Sequence, residues 1–269
     1  HITPAKTKKK ILIAGGGPAG MEAARVAKLR GHDVILFEES MKLGGRLQLA
    51  SVAPHKDEYA TAVAFCGKEL KRLDIDLRLN EALTRSVVMT EKPDAVIIAT
   101  GAKIEIPELK GIDADRALIA EHVLAGEVDV GQKVMIIGCG PVGAETAHFL
   151  AAQGKEVFIV EMMPQILSNM LPDFKWFLFE DFARYKVDTW CDTVITAVSD
   201  TTVTLKSPEG EKIIEDVDSI VFAIGGKPNK ALALELADTG VTVTTIGDAK
   251  GPRDGVNAFY EGYMAAYDL

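Results

Sequence analysis

Gly15-Gly16-Gly17-Pro18-Ala19-Gly20, directly after Ile11-Leu12-Ile13-Ala14, is the stretch that decides the fold. An apolar run that breaks into G-x-G-x-x-G reads as a strand turning into a helix. The first glycine makes the bend, the second lets a pyrophosphate approach the backbone, and the third lets the helix pack close to its strand. Met21 to Arg30 supplies that helix, whose N-terminal amides are expected to face phosphate. Gly31 ends it and Val34-Ile35-Leu36-Phe37 reads as the next strand. Glu38 follows, 18 residues beyond Gly20, where a carboxylate accepts hydrogen bonds from an adenosine ribose.

The pattern recurs 123 positions later. Val134-Met135-Ile136-Ile137 leads into Gly138-Cys139-Gly140-Pro141-Val142-Gly143, then a helix from Ala144 to Gln153, Gly154, a strand from Val157 to Val160, and Glu161. One match is a weak signal. Two complete units predict two dinucleotide sites and the passage of electrons between two bound cofactors.

Other segments repeat as well. Pro93 to Ala99 reads as a buried strand running into Thr100-Gly101, and Ser219 to Ile224 as its counterpart ending in Gly225. Leu43-Gly44-Gly45-Arg46-Leu47 offers paired glycines for close approach and a cation for a ligand. Val241 to Ile246 carries a strand into Gly247-Asp248, before a closing helix that starts near Gly255. Asp248 is placed either for the ribityl or pyrophosphate part of a flavin or as a turn and cap residue. Between these lie an amphipathic helix from Lys56 to Leu73, a strand from Asp76 to Leu79 and a helix around Asp173 to Tyr185. Antiparallel strands are expected over Val194 to Leu205 and Glu211 to Glu215, with a turn at Ser207-Pro208-Glu209-Gly210. Crossovers near Lys103 to Gly111 and at Lys227-Pro228-Asn229 divide the chain. The expected fold is α/β, with two Rossmann-like dinucleotide-binding domains: a discontinuous first domain, 1–105 with 229–269, and a second, 106–228, inserted into it.

Composition narrows the function. With 269 residues, 48% hydrophobic and 26% charged, the chain can bury two cores. Thirty basic against 39 acidic residues give a net charge of −9, which argues against a nucleic-acid partner, and Lys8-Lys9-Lys10 reads as a solvated tail. No apolar stretch approaches the roughly 18 residues of a membrane span, so no membrane partner and a cytoplasmic location are expected. The start, His1-Ile2-Thr3-Pro4, has no initiating methionine and no signal-peptide pattern, and reads as an internal start point. Cys66, Cys139 and Cys191 form no C-x-x-C pair and no metal-ligand cluster, so neither a disulfide framework nor a metal or iron–sulfur site is expected. Cys139 reads as a small filler beneath the pyrophosphate, although a helix N-terminus can lower a thiol pKa. His148 reads as a packing or surface residue. Glu145 stays open between a helix N-terminal acid and a group that orders a nicotinamide. Glu161 predicts NADH over NADPH, because a carboxylate accepts from two ribose hydroxyls and repels a 2′-phosphate. Met162 and Met163 bring no offsetting charge; Arg184 or Lys186 would have to fold in to reverse the preference.

Taken together, the first fingerprint with Glu38, Ala99-Thr100-Gly101, the second fingerprint with Glu145 and Glu161, and Gly247-Asp248 resemble the two-dinucleotide-binding-domain flavoproteins over nearly the whole chain. Leu43 to Leu47, Lys92 to Ala102, His122-Val123-Leu124-Ala125-Gly126 and Lys133 to Gly138 are similar to the C-terminal region of the 2-enoate reductase, 2,4-dienoyl-CoA reductase and trimethylamine dehydrogenase group. In that group an N-terminal barrel with FMN reduces the substrate, an iron–sulfur cluster lies next to it, and the C-terminal region moves a hydride from NAD(P)H to FAD. The resemblance implies an NADH-dependent flavin reductase module. It implies FAD at the first site, or ADP as in the trimethylamine dehydrogenase branch, and NADH, less readily NADPH, at the second. It also implies cofactor-borne hydride transfer with no catalytic side chain, and a partner region carrying FMN and an iron–sulfur cluster. A nucleotide-binding domain that does not turn over alone is the alternative reading.

Overall fold

The strand Lys10–Ala14 is buried from Ile11 onward, which is why it reads as an unbroken apolar run rather than an alternating one. In the computed structural model, which describes residues 1–112, 117–168, 170, 172–199 and 202–269, it forms the centre of a five-stranded parallel sheet. The strand order is Thr242–Thr245, Ala95–Ile98, Lys10–Ala14, Asp33–Glu38, Asp76–Leu79. Successive side chains leave opposite faces of a strand, so Ile11 and Ile13 enter one core and Leu12 and Ala14 the other. The first core is closed by the fingerprint helix Pro18–Leu29, through Ala19, Ala23, Ala24 and Val26, and by the closing helix Gly255–Tyr267. The second core gathers Phe37, Val88, Leu232 and Leu236.

A second five-stranded parallel sheet repeats the plan in the order Ala117–Ile119, Ser219–Phe222, Lys133–Ile137, Glu156–Val160, Asp188–Trp190. Its fingerprint helix is Pro141–Ala152. The edge strand differs in origin: Ala117–Ile119 precedes the fingerprint in the chain, whereas Thr242–Thr245 comes last in the first sheet. The α/β class with two Rossmann-like domains is thus what the chain adopts. No helix among the described residues is long and apolar enough to cross a membrane.

Two compact units result. The first comprises His1–Gln48, Glu58–Lys103 and Gly226–Leu269; the second comprises Leu49–Asp57 and Ile104–Gly225. The unit boundaries fall two and three residues before the domain limits read from sequence, next to an antiparallel ribbon of Ala102–Lys103 with Lys227–Pro228. Leu49–Asp57 departs from the sequence reading, which placed it in the first domain. It groups with the second unit because Lys56 ion-pairs with Glu145 on the second fingerprint helix and the His55 ring stands 6.2 Å from that of His148.

The stretch Val194 to Leu205 is also not one strand. Val194–Val198 and Thr202–Ser207 pair antiparallel, and Gly210–Glu215 completes a three-stranded sheet; Asp200 and Thr201 lie outside the described residues. The tight turn at Pro208-Glu209 falls as expected, with Ser207 paired to Gly210.

Candidate nucleotide-binding sites

Two of the three fingerprint glycines in each copy are demanded by the protein's own backbone. Gly15 has φ +104° and a Cβ there would stand 2.3 Å from the Ala99 carbonyl oxygen; Gly138 has φ +96° and its Cβ would stand 2.8 Å from that of Ala223. At the third position a Cβ on Gly20 would meet the Gly15 carbonyl oxygen at 1.9 Å, and one on Gly143 the Gly138 oxygen at 2.1 Å. The middle glycines behave differently. Gly17 and Gly140 are helix N-caps with φ −71° and −74°, which any residue adopts, and a Cβ on either would meet no protein atom within 4 Å. Open space over a backbone that tolerates a side chain is what a closely approaching pyrophosphate requires. The residues present therefore fit such a group.

Helix termini supply its donors. Pro18 and Pro141 open the two helices, and the first helical bonds run from Met21 to Gly17 and from Ala144 to Gly140. The amides of Ala19 and Gly20, and of Val142 and Gly143, precede those bonds and stand outside the helical ladder, at the positive end of the dipole.

The acids close the turns in the same way in both copies. Glu38 Oε2 accepts from the Gly16 amide at 2.6 Å and Oε1 from the Ser40 amide at 2.8 Å. Glu161 Oε2 accepts from the Cys139 amide at 2.7 Å and Oε1 from the Met163 amide at 2.8 Å. Each carboxylate is held through both oxygens, and a carboxylate oxygen has a further lone pair with which to accept from a ribose hydroxyl.

Around the first turn the structure gathers most of the residues singled out from sequence. The Gly44 amide donates to the Gly16 carbonyl at 2.9 Å, and a Cβ on Gly45 would lie 3.3 Å from Gly17 Cα. Arg46 and Asp248, 202 residues apart in sequence, meet with Nη1 3.2 Å from Oδ2, and Arg46 Nη2 also donates to the Ala102 carbonyl at 3.4 Å. Asp248 sits on the short 3-10 turn Gly247–Ala249, and a Cβ on Gly247 would lie 3.0 Å from Ala19 Cβ. Thr100 and Gly101 are joined instead to the return crossover: Thr100 Oγ1 donates to the Asn229 carbonyl at 3.2 Å, and the Asn229 amide to that of Gly101 at 3.0 Å.

In the second unit Glu145 is buried, and burial raises its pKa against the opposing pull of the Lys56 ammonium, its ion-pair partner. Sequence reasoning missed Lys56 because it belongs to no motif and was read as the first residue of an amphipathic helix, whereas that helix begins at Glu58. His148 is buried beside Asp181, Nε2 to Oδ2 2.9 Å; burial lowers its pKa although Asp181 pulls the other way. Arg184, a residue that would have to fold in to receive a 2′-phosphate, is engaged by Asp181 on its own helix at 3.0 Å. Met162 and Met163, next to Glu161, are exposed. Gly225 has φ +80° at the end of the strand beside the fingerprint strand. The Cys139 thiol is buried, and that burial, with the Glu161 carboxylate nearby, pushes its pKa up to about 12. Its burial is what a small filler beneath the turn requires. Cys66, Cys139 and Cys191 are all free thiols.

Residues 9–250 match the pyridine nucleotide-disulphide oxidoreductase family. The chain belongs to that family. It is similar to the bilirubin reductase of Mediterraneibacter gnavus, 41% identical over 266 residues that cover 98% of this chain and 41% of the relative. It is similar also to an NADH oxidase of Thermoanaerobacter brockii, 35% identical over 274 residues covering 100% of this chain and 42% of the relative. Among solved structures, a 2-naphthoyl-CoA reductase in complex with 2-naphthoyl-CoA superposes with a TM-score of 0.94 at 32% identity, over 100% of this chain and 41% of that one. The chain thus spans about two fifths of the length of these relatives. As a pyridine nucleotide-disulphide oxidoreductase family member, it is an oxidoreductase domain of the flavin- and NAD(P)H-dependent kind.

Proposed function

We propose that the first site holds FAD and the second NADH, and that the chain is an NADH-dependent flavin reductase module passing electrons to an acceptor in a partner region with FMN and an iron–sulfur cluster. The observation that carries this is the duplicated clasp. Two turns in one chain each present an open middle glycine, helix amides outside the ladder and a carboxylate already held for a ribose.

A flavin held at the first site would supply the redox chemistry, as an acceptor for hydride from a nicotinamide. The chain's own residues bind and orient. Glu38 and the amides of Ala19 and Gly20 hold the adenosine and pyrophosphate of the first nucleotide, with Gly45, Arg46, Gly101 and Asp248 assigned to its far half. Gly140, Val142, Gly143 and Glu161 do the equivalent work for NADH. Glu161 disfavours NADPH by repelling a 2′-phosphate, with exposed methionines beside it instead of cations. Lys56 pairs with the buried Glu145 carboxylate, and we assign that pair to ordering the nicotinamide end. The relatives whose names describe reductases and an NADH oxidase support this reading.

Steady-state assays of the FAD-reconstituted chain test it. The expected result is NADH-dependent reduction of an artificial dye and no reduction of an enoate or enoyl-thioester, because the proposed acceptor region is not among these residues. Absence of dye reduction from a fully flavin-loaded chain would contradict the proposal.

A further inference from the structure

Glu261 carries an arrangement that nucleotide binding at the fingerprints leaves unexplained. It sits on the closing helix Gly255–Tyr267, beside Gly262, where a Cβ would stand 2.3 Å from the Ala19 carbonyl oxygen. The helix is therefore pressed against the first turn of the fingerprint helix, backbone to backbone. The Glu261 side chain, 11% exposed, gathers three donors from one segment. Oε2 accepts the Gly247 amide at 2.8 Å, and Oε1 accepts Lys250 Nζ at 3.1 Å together with the Arg253 guanidinium. Asp248 lies inside that segment. Its Oδ1 accepts the Arg253 amide at 3.2 Å while Oδ2 faces Arg46. Arg253 is thus tied by its side chain to Glu261 and to the Gly251 carbonyl, and by its amide to Asp248.

Glu261 links two parts of the proposed first site. Its helix rests on Ala19, in the first turn of the fingerprint helix. Its carboxylate holds Gly247, Lys250 and Arg253, the residues that flank Asp248, which is assigned above to the flavin half.

We propose that Glu261 is a positioning residue that selects FAD over ADP at the first site, by holding Asp248 where the flavin half of the nucleotide extends past the pyrophosphate. The inference rests on the reading of that site as an FAD site. ADP ends at the pyrophosphate, so it uses Glu38 and the helix amides and makes no demand on Asp248. FAD requires both parts of the site at a fixed separation, and a loosened Gly247–Arg253 segment penalises it alone.

The test measures FAD and ADP affinity by equilibrium dialysis of nucleotide-stripped wild-type chain, Glu261→Ala and Glu261→Gln, with melting temperatures recorded in parallel. Glutamine keeps an oxygen for the Gly247 amide and loses the charge that holds Arg253 and Lys250. Glu261→Ala is expected to weaken FAD by about ten- to a hundredfold, the scale of lost charge-assisted hydrogen bonds, while ADP changes less than about twofold. Glu261→Gln is expected to fall between wild type and Glu261→Ala for FAD, again with ADP retained. Equal losses for the two nucleotides, or unchanged FAD affinity, would overturn the inference. If Glu261→Ala loses both ligands together with its melting transition, Glu261→Gln decides by the same ratio. A wild-type chain that binds ADP and not FAD would overturn the reading of the site itself, and this inference with it.

Discussion

Glu161 accepts the Cys139 amide at 2.7 Å across a separation of 22 residues, and Glu38 holds the Gly16 amide at the same separation. Both acids therefore have a structural duty before any nucleotide arrives: they pin the amide between the first two glycines of the turn. A mutation of either acid acts on the turn as well as on the ligand. The middle glycine, by contrast, has no duty to the protein, and that difference separates stability from binding.

Gly17→Ala and Gly20→Ala should accordingly part company. The first adds a methyl where no protein atom lies within 4 Å and φ is −71°, so its melting temperature should stay close to wild type while FAD affinity falls. The second drives a methyl to 1.9 Å from the Gly15 carbonyl oxygen. Overpacking of this kind costs about 1–3 kcal/mol or more. Thermal melts with and without FAD check both. A large loss of melting temperature in Gly17→Ala would mean that the turn is closed by the protein rather than left open for a ligand.

Glu161 should set the choice between nicotinamide nucleotides. Wild-type chain is expected to show a higher kcat/KM for NADH than for NADPH with a dye as acceptor. Glu161→Ala removes hydrogen bonds to a charged group worth about 1.5–3 kcal/mol each, so NADH should weaken by roughly 10- to 150-fold per bond. NADPH should lose less, since the repulsion also disappears. The ratio of the two constants is the readout, because damage to the turn lowers both together.

Much of this constellation was legible in the chain, and the reason is local. Fingerprint glycines are required by contacts within a few residues, such as Gly20 against Gly15, and an acid at the end of the next strand lies at a fixed count from them. The pairing of Arg46 with Asp248 was legible only as two residues with one destination, since no spacing reports a contact over 202 positions. Lys56 and Glu261 were not legible. Each acts through tertiary placement: Lys56 lies in Leu49–Asp57, which leaves its sequence neighbours to pack with the second unit, and Glu261 depends on how a helix rests on Ala19. The misread strand over Val194 to Leu205 has a simpler cause. Ser199-Asp200 is a turn signal within an otherwise β-rich run, and the Ser199 amide turns back to the Thr202 carbonyl at 2.9 Å.

Two buried histidines should make the fold sensitive to acid. His32 is 1% exposed and accepts the Lys9 amide on Nδ1 at 3.1 Å, and its pKa is lowered by burial and by nearby Arg30 and Lys9. His148 is lowered by burial as well. A histidine whose folded pKa lies below its unfolded value of about 6.5 stabilises the fold fully above that value. The contribution is lost as pH falls below it, because the unfolded chain then binds more protons. Urea unfolding at pH 7.5 and pH 5.5 should show lower stability at the acid end, with a smaller drop in His32→Asn. An unchanged midpoint across that interval would contradict the assignment.

The most direct measurement is the absorbance spectrum of the FAD-loaded chain before and after anaerobic addition of NADH. Nucleotides held at both fingerprints in a productive arrangement predict bleaching of the visible band of oxidised flavin, with NADPH markedly slower. A fully loaded sample whose flavin band persists under NADH would contradict the central claim that this chain carries electrons from the second site to the first.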